Sequence, residues 1–561
     1  GNSSRTYSSI SQSNTNNSSY SLRGQLSYSD VYREIHRFSV LAGAEIRGEK
    51  AEGIFEKRYG YDPVTGNSAM PVPKDPGNGE GFKYSDLVSY ANAMDQLSGQ
   101  EIEENRFASF YGALDYSLFD RYVLNVSFRT DGSNNFGSDE QFNPTWSAGA
   151  VWHVSEETFM EVVRPVLSRL SLRVATGYTG NINKTVKPNL MMKYYKNFRI
   201  SDDENYRMGY INNAPNPKLR WEKTRDVKVA LDFGLWKDRI NGIVEAYWRK
   251  SKDCVTSEYV PVTTGFFNQS YNTSVLQNNG VEFSLSVAVL KSKDYNLSVS
   301  ANVAWNQNKL KKYNSPNTSL ALDKYVGYPM GAVFSGKYEG IDPETGMYKF
   351  KLRPDAVTNK DGYLREPNNY YYYLGTSVAP FTGGFNLNFS YKNIGLSVGG
   401  SYSVKAKMVD NIESPAGYEL LSGSKLESIP TPHNDLYRNH LNVKREVRNR
   451  WTPENRTGVK YPRLIDAYGK KLGLDLTNPT LTTITRGALL EDISYLRINT
   501  IALSYSLPQR VLERINFSSA ALNLTLNNFF TITKYSGIDP EVPGATYPVS
   551  RSVTIGLNVG F

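Results

Sequence analysis

At 561 residues the chain is long enough for several soluble domains or one large barrel, but its mean hydropathy is negative and it has no apolar run of roughly eighteen residues, which excludes helical membrane spans. The net charge of +9 comes from Lys and Arg scattered along the sequence; no basic block is interleaved with aromatics, so a nucleic-acid surface is excluded as well. One cysteine, Cys254, leaves no internal disulfide, whereas 40 Tyr, 24 Phe and 7 Trp exceed what a soluble core needs and suit membrane interfaces or ligand-binding loops.

Residues 1–19 are rich in Ser and Asn and carry no apolar h-region of a signal peptide. A first strand is predicted over Ser19–Asp30. Downstream, Leu124, Val126 and Phe128 alternate with Asn125, Ser127 and Arg129, and Leu170, Leu172 and Val174 with Ser171, Arg173 and Ala175. The same two-residue period recurs at Val227–Phe233, Val281–Val289, Leu297–Trp305 and Phe385–Tyr391. It closes the chain as well, where Val553, Ile555, Leu557, Val559 and Phe561 share one face and Ser552, Thr554, Gly556, Asn558 and Gly560 the other. A β-sandwich would alternate too, but these segments run to about nine to fourteen residues, longer than sandwich strands and suited to crossing a bilayer.

Connection lengths alternate between short and long, as in outer-membrane barrels with short periplasmic turns and long extracellular loops. Short links fall at Asp30–Glu34, Phe119–Arg121, Trp236–Arg239, Lys291–Asp294, Lys392–Ile394 and Pro508–Asn516. A longer one at Ser155–Ser168 reads as a helical turn with acidic residues near its N-terminus. Long polar excursions include residues 51–103, 180–219, 308–379 and 405–487. Three excursions contain Asp-Pro turns: Tyr61-Asp62-Pro63-Val64-Thr65-Gly66, Ile341-Asp342-Pro343-Glu344-Thr345-Gly346 and Ile538-Asp539-Pro540-Glu541. The expected architecture is all-β, a transmembrane antiparallel β-barrel of which about fifteen strands are present. Counting back from the last strand places residues 1–18 outside the cell as the remnant of an extracellular loop, and residues 19–561 in the C-terminal part of the barrel.

Several motifs, in order, resemble SusC/RagA-type TonB-dependent transporters. They are Phe128-Arg129-Thr130-Asp131-Gly132-Ser133, Trp146-Ser147-Ala148-Gly149, Gly177-Tyr178-Thr179-Gly180-Asn181, Leu219-Arg220-Trp221-Glu222-Lys223-Thr224 and Asn279-Gly280-Val281-Glu282. Asn449-Arg450-Trp451-Thr452-Pro453-Glu454-Asn455, Ser494-Tyr495-Leu496-Arg497-Ile498-Asn499 and Asn527–Glu541 complete the set. The resemblance implies a 22-stranded barrel in the cell outer membrane of a Gram-negative, Bacteroidota-type bacterium. It further implies an N-terminal plug, a SusD-like surface lipoprotein, energy from a TonB complex, and import of an oligosaccharide or peptide. This sequence contains neither a plug-like domain nor a TonB box. A second chain or missing segment carrying the plug and first strands is therefore an expected partner, besides outer-membrane lipid. The alternative is a non-transport surface glycan-binding or adhesin β-protein.

Catalytic constellations are poor. His36, His153, His433 and His440 form no H-E-x-x-H pattern, and with one Cys neither a metal site nor a cofactor is expected. Binding is assigned to loops on a rigid scaffold. The candidates are Tyr370, Tyr371, Tyr372 and Tyr373, whose rings suit sugars and partner proteins alike, and Trp451. A loop packing its own rings, and an anchor for the longest loop, are the competing readings. Asp202, Asp203 and Glu204 read as a solvated acidic loop with calcium or a basic partner as the alternative. Phe561, ending an alternating strand, resembles the terminal signal by which barrel-assembly machinery recognises its clients.

Overall fold

The computed structural model describes residues 9–59, 61–67, 98–183, 186–194, 209–266, 268–313, 325–344, 346, 348–356, 369–409, 448–461, 486–514, 516–543 and 547–561. Fifteen strands form one antiparallel sheet in chain order. They are β1 (Ser9–Tyr32), β2 (His36–Tyr59), β3 (Ser98–Leu118), β4 (Tyr122–Ser133), β5 (Phe142–His153), β6 (Leu167–Asn181), β7 (Glu222–Leu235) and β8 (Ile240–Tyr259). The others are β9 (Asn268–Lys291), β10 (Tyr295–Lys312), β11 (Phe381–Tyr391), β12 (Ile394–Val404), β13 (Tyr495–Ser506), β14 (Ser519–Thr533) and β15 (Ser552–Gly560). No described helix is long and apolar enough to cross a membrane.

Register keeps the apolar faces in phase from strand to strand. Val174 lies opposite Val229, Val229 opposite Ala246, Ala246 opposite Val281, Val281 opposite Trp305, Trp305 opposite Phe381, and Phe381 opposite Val404. A one-residue slip at any seam would turn a whole apolar set to the wrong side. Where large and small residues meet, they interlock: a Cβ built on Gly242 would lie 2.2 Å from the ring of its neighbour Phe233, so a side chain there would displace that ring. The apolar face is exposed in the chain as it stands, with Leu26 81%, Ile555 72% and Leu557 66% accessible. A continuous apolar band of this size belongs against hydrocarbon.

Aromatic rings bound the band. At the short-link end Tyr122 stacks on Trp152 (6.5 Å), Tyr295 on Tyr391 (6.4 Å), and Tyr28 tilts against Phe38 (5.8 Å). At the other end Trp146 meets Tyr178 at 5.8 Å. Along β10 the segment between the two belts, Tyr295 to Trp305, matches the ~9–11 residues of a tilted transmembrane strand.

Several strands outrun their predicted bounds. The first begins at Ser9, not Ser19, paired from Ser9 opposite Tyr59 onward. Likewise β2 continues to Tyr59 and β3 starts at Ser98, shortening the predicted 51–103 excursion. The long excursions also contain small two-stranded sheets, pairing Met191–Tyr194 with Gly209–Asn213, Ala332–Gly336 with Tyr371–Thr376, and Lys407–Val409 with Leu490–Asp492. The reason is physical: alternation marks only the stretch in contact with hydrocarbon. Above it both faces meet water, the ladder alone holds the ribbon, and charge pairs such as Arg58–Glu56 (2.9 Å) and Arg106–Glu104 (2.7 Å) replace apolar contacts.

The short links are tight and several use left-handed residues that are not glycine. Phe119 and Asp120 have φ of 54° and 55°, and Arg33 and Glu34 53° and 61°, matching the positive φ that two-residue hairpin turns need to follow strand twist. Among the described residues the outer edges of β1 and β15 have no strand partner.

The band and the opposite face should respond differently to charge. Leu285→Arg, in mid-band, is expected to cost about 2–4 kcal/mol of folding stability, while Ser286→Arg on the polar face should be tolerated. Heat-modifiable gel migration and urea titration in lipid measure both; equal effects would contradict the assignment of faces.

Candidate functional site

The face opposite the band is polar and concave. A groove of about 740 Å³ runs across it, bordered by Arg173, Glu245, Glu282, Asn302, Asn386 and Asn499. Strand alternation places these side chains together, because each follows a band residue by one position. Charges there are mostly paired across strands. Arg173 grips Asp232 with two donors at 2.6 and 3.0 Å, Lys228 reaches Glu245 at 3.2 Å, and Arg249 meets Asp226 at 2.7 Å. Arg129 bridges Asp131 at 2.7 Å and also donates to Ser109 at 2.9 Å. Glu245 and Glu282 lie directly opposite one another across the β8–β9 seam. The wall thus offers amides, hydroxyls and oriented ion pairs, a surface that can hydrogen-bond a polar solute in many registers.

The rim is built from loops locked by a few buried groups. Phe136 stacks on Trp221 at 4.6 Å, and the Gly137 amide donates to the Leu219 carbonyl at 2.9 Å. The two loops approach so closely that a Cβ on Gly137 would fall 1.8 Å from the Pro217 carbonyl oxygen, which excludes any side chain there. Asn135, 2% exposed, donates to Asn105 at 2.7 Å and accepts from Lys187 at 2.9 Å.

The Asp-Pro turns follow one plan with one departure. Asp62 accepts from the Val64 amide (2.9 Å) and Asp342 from the Glu344 amide (2.8 Å), and Gly66 and Gly346 close the turns with φ of 71° and 72°. The third turn lacks the glycine. There Asp539 accepts from the amides of Glu541 (3.0 Å) and Val549 (3.1 Å) and from Arg497 (2.5 Å), while Arg497 also reaches Glu541 at 2.9 Å. Arg497 is 2% exposed. Desolvation pushes the Asp539 carboxyl up, but the two amides and the guanidinium outweigh it and hold it below the usual carboxylate range.

The predicted site residues separate. In the tyrosine run, Tyr371 is buried, the Tyr372 hydroxyl donates to the Leu352 carbonyl (2.9 Å), and Tyr373 packs on Tyr328 at 4.9 Å. Tyr370 precedes the strand in a turn and is half-buried. Tyr373 alone of the four borders a second groove of about 480 Å³, together with Trp305, Tyr328 and Met330. Trp451 is buried and its indole donates to the Pro343 carbonyl at 3.0 Å, so it fastens one loop to another. Phe561 is 91% exposed and meets Phe517 edge-on at 5.1 Å. His36 contacts the Tyr116 hydroxyl at 2.8 Å and His153 the Ser171 hydroxyl at 3.0 Å. His433, His440, Asp202, Asp203 and Glu204 lie outside the described residues, and the described residues hold no cluster of three or more metal-ligating side chains.

Sequence reading missed the Arg497–Asp539 pair. Both residues stood within resemblance motifs, but they are 42 positions apart and nothing in the sequence signalled that they meet. Breaking a buried pair by removing one charge costs about 3–5 kcal/mol, so Asp539→Asn should free residues 534–543 and 547–550 to proteolysis and hydrogen exchange. Because the folded carboxyl is held low, its contribution is full above the ordinary carboxylate range and is lost as pH falls through the depressed value. Acidifying the unmodified protein should therefore reproduce the loosening, and Asp539→Asn should abolish that pH step.

Comparison with known proteins agrees with this geometry. The family described as TonB dependent receptor-like, beta-barrel, matches residues 1–412. The chain is 25% identical to TonB-dependent receptor P26 of Formosa agariphila, covering 96% of this chain and 52% of that protein. It is 26% identical to TonB-dependent receptor SusC of Bacteroides thetaiotaomicron, covering 93% and 48%. The structure of the RagAB peptide transporter superposes with a TM-score of 0.75 at 24% identity, covering 99% of this chain and 56% of that one, and shows the same fold. The chain spans about half the length of the curated relatives it matches. It is an outer-membrane protein of the TonB-dependent receptor-like β-barrel family.

Proposed function

We propose that this chain is the C-terminal barrel portion of a TonB-dependent importer that carries an oligosaccharide or peptide across the outer membrane. The observation that carries the reading is the combination of two features in one sheet. Its concave face is a polar wall of paired charges and amides, and its two outer edges, among the described residues, are bare. Unpaired backbone in hydrocarbon costs several kcal/mol per group, so β1 and β15 need further strands to close a barrel around that wall. A second chain or missing segment supplies those strands and the plug, and through the plug the contact with the TonB complex. The long excursions then face outward, where a SusD-like lipoprotein would cover them.

Hydrogen-bonding walls of this kind serve polar, extended solutes. The family name supports TonB as the energy source; of the relatives, RagAB bears the name of a peptide transporter, while SusC is named as a TonB-dependent receptor without a solute class. The tyrosine run at 370–373 is proposed as a contact for a partner or ligand, with Tyr373 the member best placed to meet one. Trp451 contributes to binding through the loop it anchors.

Three measurements test the reading. Intact-mass and N-terminal analysis of the purified assembly should find plug and first strands either continuous with residue 1 or on a co-purifying chain. In a host dependent on the transporter, growth on one member of a panel of oligosaccharides and peptides should be lost without TonB. Arg173→Ala with Asp232→Ala should lower uptake several-fold at unchanged outer-membrane abundance. Growth on every panel member without TonB would overturn import.

A further inference from the structure

Two short links are helical: that between β13 and β14, with a helix over Gln509–Arg514, and the longer one between β5 and β6. Between β5 and β6 the chain makes consecutive helical turns, 154–156 and 158–160, continuing through the Arg164 amide bonded to the Met160 carbonyl (3.1 Å) and the Leu167 amide bonded to the Val163 carbonyl (2.8 Å). Phe159, Val162, Val163 and Val166 fall at the i, i+3, i+4, i+7 spacing of one helical face. That face is open: Phe159 is 64% exposed, Val162 88%, Val163 42% and Val166 52%. On the polar side Arg164 donates to the Ser155 carbonyl at 2.9 Å.

The link is held against the band side of the sheet, not the polar wall. Glu157, nearly buried, accepts from the Tyr122 hydroxyl at 2.5 Å, from the Trp152 indole at 3.0 Å and from Arg121 at 3.3 Å. Tyr122 and Trp152 are directly paired, and Trp152 is paired with Leu172, so both rings belong to the apolar face at its aromatic boundary. The next link adds Trp236, 52% exposed, whose amide donates to the Val166 carbonyl at 2.7 Å. The exposed stripe is thereby continuous with the band already assigned to hydrocarbon.

We infer that residues 157–166 form an interfacial anchor whose Phe159, Val162, Val163 and Val166 insert among the acyl chains of the periplasmic leaflet. The occupant is phospholipid because the stripe prolongs the lipid-facing band, an aromatic pair marks the depth, and the buried Glu157 fixes the turn at the level where headgroups meet chains. Fixing the tilt and depth of the barrel at this point is the consequence.

The test places a nitroxide at Val162→Cys, with Glu161→Cys as comparison and Val166→Cys as a second reporter, in a Cys254→Ser background. The full-length protein is reconstituted in vesicles of phosphatidylethanolamine and phosphatidylglycerol. Collisions with oxygen should exceed those with a water-soluble nickel chelate several-fold at 162 and 166, and the order should reverse at 161. Nickel access at 162 and 166 equal to that at 161 would put the stripe in water. Protection from both reagents would mean that protein, a second copy or another chain, covers it. Either result overturns the inference.

Discussion

Hydrocarbon leaves a backbone amide no partner except another backbone group, and this constraint organises the whole chain. It requires a continuous ladder, the ladder fixes register, and register decides which residues meet lipid. Fifteen strands obey it in phase, so that Val229, Val281, Phe381 and Val404 form part of one row although no two are neighbours in sequence. The same requirement makes β1 and β15 the unfinished edges of the described sheet.

Loop order has a different origin. An open sheet has little interior, and the one buried apolar cluster described, Ala406, Ile493 and Tyr535, is small. Loops are held by a few groups whose removal leaves something buried and unmatched. Trp221 stacks on Phe136, Trp451 caps the Pro343 carbonyl, and Arg497 clamps Asp539. These residues sit in or beside the motifs that carry the family resemblance, and here they fasten rim loops rather than present a surface to ligand. A polar pair at 2% and 6% exposure is a poor source of net stability but a strong selector of one loop conformation, since every alternative strands a charge.

The two faces of the sheet divide the work. The band faces the bilayer, and the polar wall, with Arg173 bound to Asp232 and Glu245 to Lys228, covers the opposite face. Paired charges keep such a wall wet and hydrogen-bonding without making it strongly attractive to one sign of solute. The link at residues 154–166 joins the two, with the buried Glu157 accepting from Tyr122 and Arg164 donating to the Ser155 carbonyl beside its exposed apolar stripe.

Composition and periodicity by themselves determined the class of fold, the number of strands and the identity of the band, because a residue that must face hydrocarbon repeats every second position and leaves a visible mark. The same logic fixed most short links, where strand twist restricts the turn. Once the strands rise above the membrane that mark disappears: Ser9–Ser18 and Ser98–Glu103 are strand with no apolar face to reveal them. The tyrosine run was conspicuous as composition, yet whether Tyr371, Tyr372 and Tyr373 face a ligand or their own loop depends on Leu352 and Tyr328, which reach them only through the fold. Arg497 and Asp539 were each legible as polar residues in a motif. Their meeting belonged to the tertiary structure, because a buried ion pair joins positions far apart in sequence and periodicity records only neighbours.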